Sequence, residues 1–391
     1  MLIFTLVKGV PARTTNVVSV GGVLRREEMD LVMNPHDWKA VEAADYVRRV
    51  VGGKTIALTM GPDAKLAPIL SRLYDAEVFG ADEVYILSDR LMAGADTLAT
   101  SYTIGRGILT IVEKHTKALE QLLGLAESGS PDECRALASR LYSENLLPNK
   151  VFSTLPTVRD SLIEKFVSGR IGRQDLLSGL REAIQVTNNF VVVSGIKSTD
   201  GETGSVGPQV AEALSESLGF ELPHATYVDD FAIVPSSLTI TCERKLGRLV
   251  QKMEMKAPAV LTVSADYSAR RSDISNLLTV RLMSFRGKMR EPKKLNAQEI
   301  GAETGRIGLA GSPTIVGPGI DIGKPPVQKI VNKSLVFYDD VDSITWNDRT
   351  FGPFQKGDLA ESLPSQLIED LKSKAKVGVF TLDMLAEELF V

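Results

Sequence analysis

Short apolar runs at 2–7 (LIFTLV), 55–60 (TIALTM), 83–87 (EVYIL), 190–193 (FVVV) and 259–263 (AVLTV) are separated by longer stretches of helical period. Runs of this length, rich in β-branched residues and bounded by Gly, Pro or polar residues, predict strands buried on both faces. Between them, Val41, Ala44 and Val47 mark one face of a helix predicted over 36–50, closed by Gly52 and Gly53. A second helix is predicted over 64–79, ended by Gly80, and a third begins over 97–107. A hairpin arm at 17–24, broken by Gly21-Gly22, and an apolar piece at 31–33, stopped by Asn34-Pro35, interrupt the first unit. Strands alternating with helices at this spacing predict βαβ units, hence a parallel sheet with helices on both faces.

The alternation stops at 113 and resumes at 188. Helical stretches at 114–125, 131–142, 158–167 and 173–185 predict a helical insertion over 113–187, dividing an α/β core made of 1–112 and 188–300. A strand at 225–228 follows, and 238–244 and 249–255 alternate about a turn at 245–248, which predicts an antiparallel hairpin. The stretch 268–290 is polar, basic and helix-capable, with Arg270, Arg271, Arg281, Arg286, Lys288 and Arg290. Gly and Pro dominate 301–326, so 301–391 reads as an extended C-terminal arm, closing with helices predicted at 364–374 and 382–390.

The densest chemistry lies between the 190–193 strand and the helix that follows it. Gly195, Gly201, Gly204 and Gly207 fall within thirteen residues, interleaved with Lys197, Ser198, Thr199, Thr203 and Ser205. From Pro208 the period turns helical, with Val210, Ala211, Leu214 and Leu218 on one face. Glycines let a backbone approach a ligand closely, and the free N–H groups of a helix start bind phosphate. The spacing is neither a Walker loop nor the dinucleotide GxGxxG. A phosphate-binding loop is the reading of these residue types; the competing reading is a loop whose glycines serve only its turns.

Composition narrows the classes. With 391 residues, 43% of them apolar, the chain can bury a sizeable core as one elaborated α/β domain or two to three domains. A net charge of −4 gives no basic field for nucleic acid. Cys134 and Cys242 are far apart with no CxxC, and His36, His115 and His224 are scattered, which argues against disulfides and metal sites and fits a reducing compartment. No signal segment and no membrane-length apolar run stand out, so a cytoplasmic chain without membrane insertion is expected. Ser194, His224 and Asp229 have no G-x-S-x-G elbow, and Asp229-Asp230 would face opposite sides of a strand. No catalytic residue and no metal ligand is assigned.

Several blocks, in order, resemble the beta subunit of electron-transfer flavoproteins. Leu6-Val7-Lys8 with Val10-Pro11 is similar to the family's VKxVP, and Met33-Asn34-Pro35 with Ala40-Val41-Glu42-Ala43-Ala44 to its MNPxxxxAVEEA. Thr59-Met60-Gly61-Pro62, Gly80-Ala81-Asp82, Leu87-Ser88-Asp89 and the run from Gly94 to Thr100 resemble xxGP and GAD…SD…GADTLAT. The loop from Asp200 to Pro208 is similar to DGDTxQVGP, and Pro258 to Val263 to PAVVTV. The resemblance covers about 1–112 and 188–330. The chain departs from it at Ala12-Arg13, where the family has Asp-Thr, at Ser205, where it has glutamine, and in the 113–187 insertion and the longer C-terminus.

The resemblance implies a parallel-sheet α/β domain of the adenine nucleotide alpha hydrolase-like class, with an added hairpin, insertion and arm. It implies a heterodimer with an FAD-carrying alpha subunit, and a nucleotide in the beta chain that is AMP in carriers or a second FAD in electron-bifurcating members. Carried over by position, the nucleotide site is Leu6, Lys8, Asn34, Pro35, His36, Asp37, Met60 and the loop Gly195, Ile196, Lys197, Ser198, Thr199, Asp200, Gly201, Glu202, Thr203, Gly204, Ser205 and Val206. A docking loop at 270–278, with Ile274 as its apolar anchor, is expected to meet a partner dehydrogenase. Three readings follow. The first is a carrier subunit passing electrons from acyl-CoA dehydrogenases to an acceptor, with a membrane-bound quinone oxidoreductase among the acceptors. The second is a bifurcating variant that oxidises NADH, which needs a flavin slot near 8–15 and Met60. The third is a non-redox adenylate-binding regulator.

Overall fold

A computed structural model describes residues 1–12, 19–20, 23–24, 30–74, 80–154, 160–267, 291–314, 336–337, 340, 342–355, 363–367 and 379–380. The chain divides into two units, Met1–Pro318 and Gly319–Val391. The first opens with β1 (Leu2–Leu6), β2 (Gly9–Pro11), β3 (Ser19–Val20), β4 (Val23–Leu24) and β5 (Leu31–Met33), then α1 (Pro35–Val51), β6 (Lys54–Met60), α2 (Asp63–Leu70) and β7 (Glu83–Leu87). Then come α3 (Thr97–Ser128), α4 (Pro131–Ser143), α5 (Leu162–Val167), α6 (Arg173–Asn188), β8 (Val191–Gly195) and α7 (Val206–Leu218). The unit closes with β9 (His224–Val234), β10 (Thr239–Leu246), β11 (Leu249–Lys256), β12 (Ala259–Val263) and β13 (Lys293–Leu295).

One nine-stranded sheet carries the unit, in the order β11-β10-β9-β12-β8-β1-β6-β7-β13. Neighbours from β9 to β13 pair in parallel, and β9-β10 and β10-β11 are antiparallel. The expected parallel core with an added hairpin is therefore present, and β1 sits where the order reverses: β6 and β7 lie on one side, β8 and β12 on the other. In open α/β sheets ligands bind outside the carboxyl ends at such a point.

Each core strand is apolar all along because both faces are covered. From β1, Leu2, Phe4 and Leu6 join a cluster with Ile104, Ile108 and Ile111 of α3 and Val210 and Leu214 of α7. Ile3 points the other way, into a cluster with Ala40, Ala44 and Val47 of α1. The curled β9–β10 segment covers that second face: Phe231 meets Tyr46 edge-on at 5.4 Å and stacks on Tyr267 at 5.7 Å. Fully burying each such side chain is worth about 1.5–3 kcal/mol, so the strand periodicity is enforced from both sides.

Several expectations are corrected in detail. The second helix ends at Leu70, with a 3-10 turn at Ser71–Leu73, because Pro68 lies inside it and lacks the N–H that continues a helix. The third begins at Thr97 as expected and runs unbroken for 32 residues, absorbing the separate helix expected at 114–125. Gly107 is there for close approach: a Cβ would lie 2.9 Å from a methyl of Leu87. The strand expected at 225–228 extends to Val234 through Tyr227, whose φ is +58°. β13 was not expected. The helices α4, α5 and α6 gather around their own apolar cluster, with Leu119 and Leu122 of α3, Cys134, Phe152, Ile163 and Leu176.

The insertion is joined to the sheet by buried charge. Glu83, 1% exposed, accepts from Lys54 Nζ at 2.8 Å, Lys293 Nζ at 2.7 Å and Tyr85 Oη at 2.9 Å. Lys54 also donates to the carbonyl of Asn145 in the insertion. His115 Nδ1 faces the carbonyl of Leu146 at 2.9 Å, with Nε2 3.9 Å from Glu83. Burial, reinforced by Lys54, pushes His115 down to about 4, against the pull of Glu83. A histidine neutral in the fold contributes stability that is complete above the free value of 6.5 and is lost as the pH falls toward 4. His115 therefore lowers the unfolding midpoint as the pH falls from 6.5 to 4, while Asp37, raised to about 7, works in the opposite sense, so the His115 part is read as a difference in slope between variants. His115→Phe should remove about one proton's worth of that slope; an unchanged slope would place the proton uptake elsewhere.

In the second unit, Val336–Phe337 pairs antiparallel with Val379–Phe380, and Ile344–Trp346 with Arg349–Phe351. The helix expected at 364–374 is described only to 367, and the one expected at 382–390 lies outside the described residues. Among the described residues no helix is long and apolar enough to cross a membrane.

Candidate functional site

The carboxyl ends of β1 and β8 open into adjoining loops, and α1 starts between them. Pro35 opens α1 with φ already suited to a helix and no N–H to leave unpaired. The loop after β8 folds over this start. Gly195 is required there, since a Cβ would sit 2.7 Å from both the carbonyl oxygen of His36 and Asp37 Oδ1. A second close approach occurs where α7 begins: a Cβ on Gly207 would stand 2.6 Å from Ser194 Oγ and overlap Thr262 Oγ1. Gly204, at φ +62°, supplies a left-handed turn that L side chains avoid.

Polar contacts fix the loop from beneath. Asn34 Nδ2 donates to Asp37 Oδ1 at 2.8 Å and to the Lys197 carbonyl at 2.9 Å, and Asn34 Oδ1 accepts from the Thr199 N–H at 3.3 Å. The Lys8 N–H donates to Asp37 Oδ2 at 2.8 Å. Lys8 Nζ reaches Asp200 Oδ1 at 2.7 Å and Ser198 Oγ at 3.2 Å. Burial pushes the Asp37 carboxyl up to about 7, against the Asn34 and Lys8 hydrogen bonds and the Lys8 charge that pull it down. Lys197 and Glu202 meet at 3.2 Å on the surface, a pair that contributes little.

The structure thus brings Lys8, Asn34, Asp37 and the loop from Gly195 to Asp200 into one constellation. Leu6 is buried in the core cluster, and Met60 and Val206 are half-buried against the same cluster. Pro35, Gly201, Glu202 and Thr203 are exposed, and His36, Ile196, Gly204 and Ser205 are half-exposed. The helix begins at Val206, two residues before Pro208, so Pro208 is its third residue. Ser205 makes no side-chain cap, and by helix geometry the first N–H groups of α7 have no acceptor within the helix. These donors, a glycine-lined approach and a neighbouring ammonium suit an anionic group.

Gly207 and the hydroxyls it packs on, Ser194 and Thr262, stood outside the expected site list; the Gly-Pro step at a helix start was their signal in the sequence. Ser194 Oγ lies 3.2 Å from Thr262 Oγ1, and Asp229 is held by Ser264 Oγ at 2.6 Å and the Lys245 N–H at 2.9 Å, so no hydrolytic triad forms with exposed His224. Ile274, the 270–278 segment and residues 13–15 lie outside the described residues.

Residues 21–111 match the electron transfer flavoprotein domain. The chain is 29% identical over 325 residues to an electron transfer flavoprotein subunit beta of Thermoanaerobacterium thermosaccharolyticum, covering 81% of this chain and 86% of that one. It is 27% identical over 320 residues to Protein FixA of Azorhizobium caulinodans, covering 81% and 83%. It is 26% identical over 318 residues to the electron transfer flavoprotein subunit beta of Megasphaera elsdenii, covering 81% and 86%.

Proposed function

We propose that this chain, which is similar to electron transfer flavoprotein beta subunits, is the nucleotide-binding half of a heterodimeric electron carrier. An alpha chain is its partner. FAD bound in the heterodimer supplies the electron-carrying ring. This chain binds an adenine nucleotide in the β1–β8 crevice, orients it and supplies docking surface. Acyl-CoA dehydrogenases are the proposed donors and a quinone oxidoreductase the proposed acceptor.

The observation that carries the reading is the cradle at the sheet's reversal point. Side chains are excluded at Gly195 and Gly207, the N–H groups of Val206 and Gly207 precede the helix's own hydrogen-bond ladder, and Lys8 stands beside the loop. Phosphate oxygens fit this donor set, because N–H groups at a helix start and an ammonium both favour anionic oxygen. The nucleotide site comprises Lys8 and the loop from Gly195 to Val206, with Met60 and the start of α1 at its margin.

The test is the flavin and nucleotide content of the chain purified with its alpha partner. One FAD and one AMP per heterodimer is the expected result. Two FAD would make it a bifurcating subunit, and neither flavin nor partner would sink the carrier reading. Gly204→Asp adds a charge and a side chain at a φ of +62° and should lower AMP retention at least tenfold. Unchanged retention in that variant would remove the loop from the site.

A further inference from the structure

We propose that Asn34 and Asp37 are positioning residues that hold the loop backbone in one shape before any ligand arrives, their side chains not touching the ligand. The proposal rests on the nucleotide reading of this crevice. Asn34 is 1% exposed and Asp37 is buried. The two N–H bonds of the Asn34 amide are both spent on protein acceptors, Asp37 Oδ1 and the Lys197 carbonyl, and its oxygen takes the Thr199 N–H. Only one orientation of the amide satisfies all three contacts, because Nδ2 faces two acceptors and Oδ1 faces a donor.

Asn34 occupies the N-cap position of α1 yet makes no side-chain cap, so helix capping does not explain it. Its loop partners lie 163 and 165 residues away in sequence, so its work is tertiary. Asp37 closes the ring by accepting the Lys8 N–H, and the Lys8 ammonium reaches back to Ser198 and Asp200. The loop is thereby held at four successive residues from Lys197 to Asp200. A ligand that meets a fixed loop loses less conformational entropy on binding than one that must order it.

Hydrogen exchange on the ligand-free full chain, paired with AMP titration calorimetry, tests this. Asn34→Ala should speed exchange of the amides from 197 to 205 about tenfold and weaken the AMP Kd about tenfold, the scale of a lost buried hydrogen bond, with α1 amides at 41–47 unchanged. Asn34→Asp keeps the volume and the acceptor for Thr199 while losing the donors to both Lys197 and Asp37. It should speed loop exchange as well, and it stands in if the alanine variant fails to fold. Unchanged loop exchange in either folded variant overturns the proposal. So does weaker AMP binding without faster exchange, which would mean direct contact with the ligand. A wild-type chain that binds no AMP and no FAD removes the nucleotide reading instead, and the exchange comparison still judges the clamp.

Discussion

Gly195→Ala is expected to empty the crevice of nucleotide and to destabilise the α/β unit by about 1–3 kcal/mol, the usual cost of forcing a methyl into a packed site. The new Cβ would meet the His36 carbonyl oxygen and Asp37 Oδ1, both at 2.7 Å. The first is backbone in the opening turn of α1 and cannot rotate away. Relief therefore has to come from separating the β8 end from α1, which breaks the Asn34 contacts to Lys197 and Thr199. Thermal unfolding and AMP calorimetry on the purified variant check this. Wild-type affinity in Gly195→Ala would mean that the loop and α1 need not touch for binding.

The largest effect on stability is expected from Glu83→Ala. Burial works against the charged carboxylate, but Lys54 and Lys293, with His115, outweigh it and hold Glu83 at about 2. Deleting the acid leaves Lys54, whose side chain is 12% exposed, without its main counter-charge. Removing one partner of such a buried pair costs about 3–5 kcal/mol, or roughly 10 °C in the unfolding midpoint. Glu83→Leu combined with Lys54→Met should recover much of the loss, since a hydrophobic pair replaces a buried ion pair at little cost, and Lys293, 41% exposed, can turn to water. If the double variant is no better than Glu83→Ala, the loss arises from packing and not from the stranded ammonium. The same shift sets the acid limit of the pair: its stabilisation is complete above the free value of 4.5 and is lost as the pH falls through about 2.

The strands, the main helices and the strand–loop–helix centre were legible because each is written locally, in an apolar run, a period or a glycine cluster. Three features were not, each for a non-local reason. β13 is Lys-Lys-Leu, a poor strand by composition, and exists because it pairs with β7 from 208 residues away, as the Lys293 to Tyr85 register records. The continuity of α3 through Gly107 is set by contact, since that glycine is where the helix meets Leu87. Asn34 before Pro35 looks like a stop signal, and its side chain is committed to a loop far along the chain. In the site, residue types were readable but their division of labour was not. Leu6, placed at the site by resemblance alone, has its side chain in the core cluster, and Gly207 sets the approach of α7 to Ser194 of β8 and Thr262 of β12.

Continuous helix through α3 gives the insertion a mechanical character. At 1.5 Å per residue its 32 residues make a rod about 48 Å long. One end is sunk in the α/β unit, where Gly105 packs within 3.3 Å of Ala213 by its would-be Cβ and Ser101 Oγ donates to the Val206 carbonyl at 3.3 Å. The other end carries the α4–α6 cluster. No Pro lies along it, α6 packs against it on the way back to β8, and Lys54 and His115 hold the 145–146 turn to the sheet, so the helical segment is braced at more than one point. A load on the α4–α6 helices is therefore shared between α3 and the sheet edge at Lys54 and Glu83, where the strands start, the edge opposite the first turn of α7.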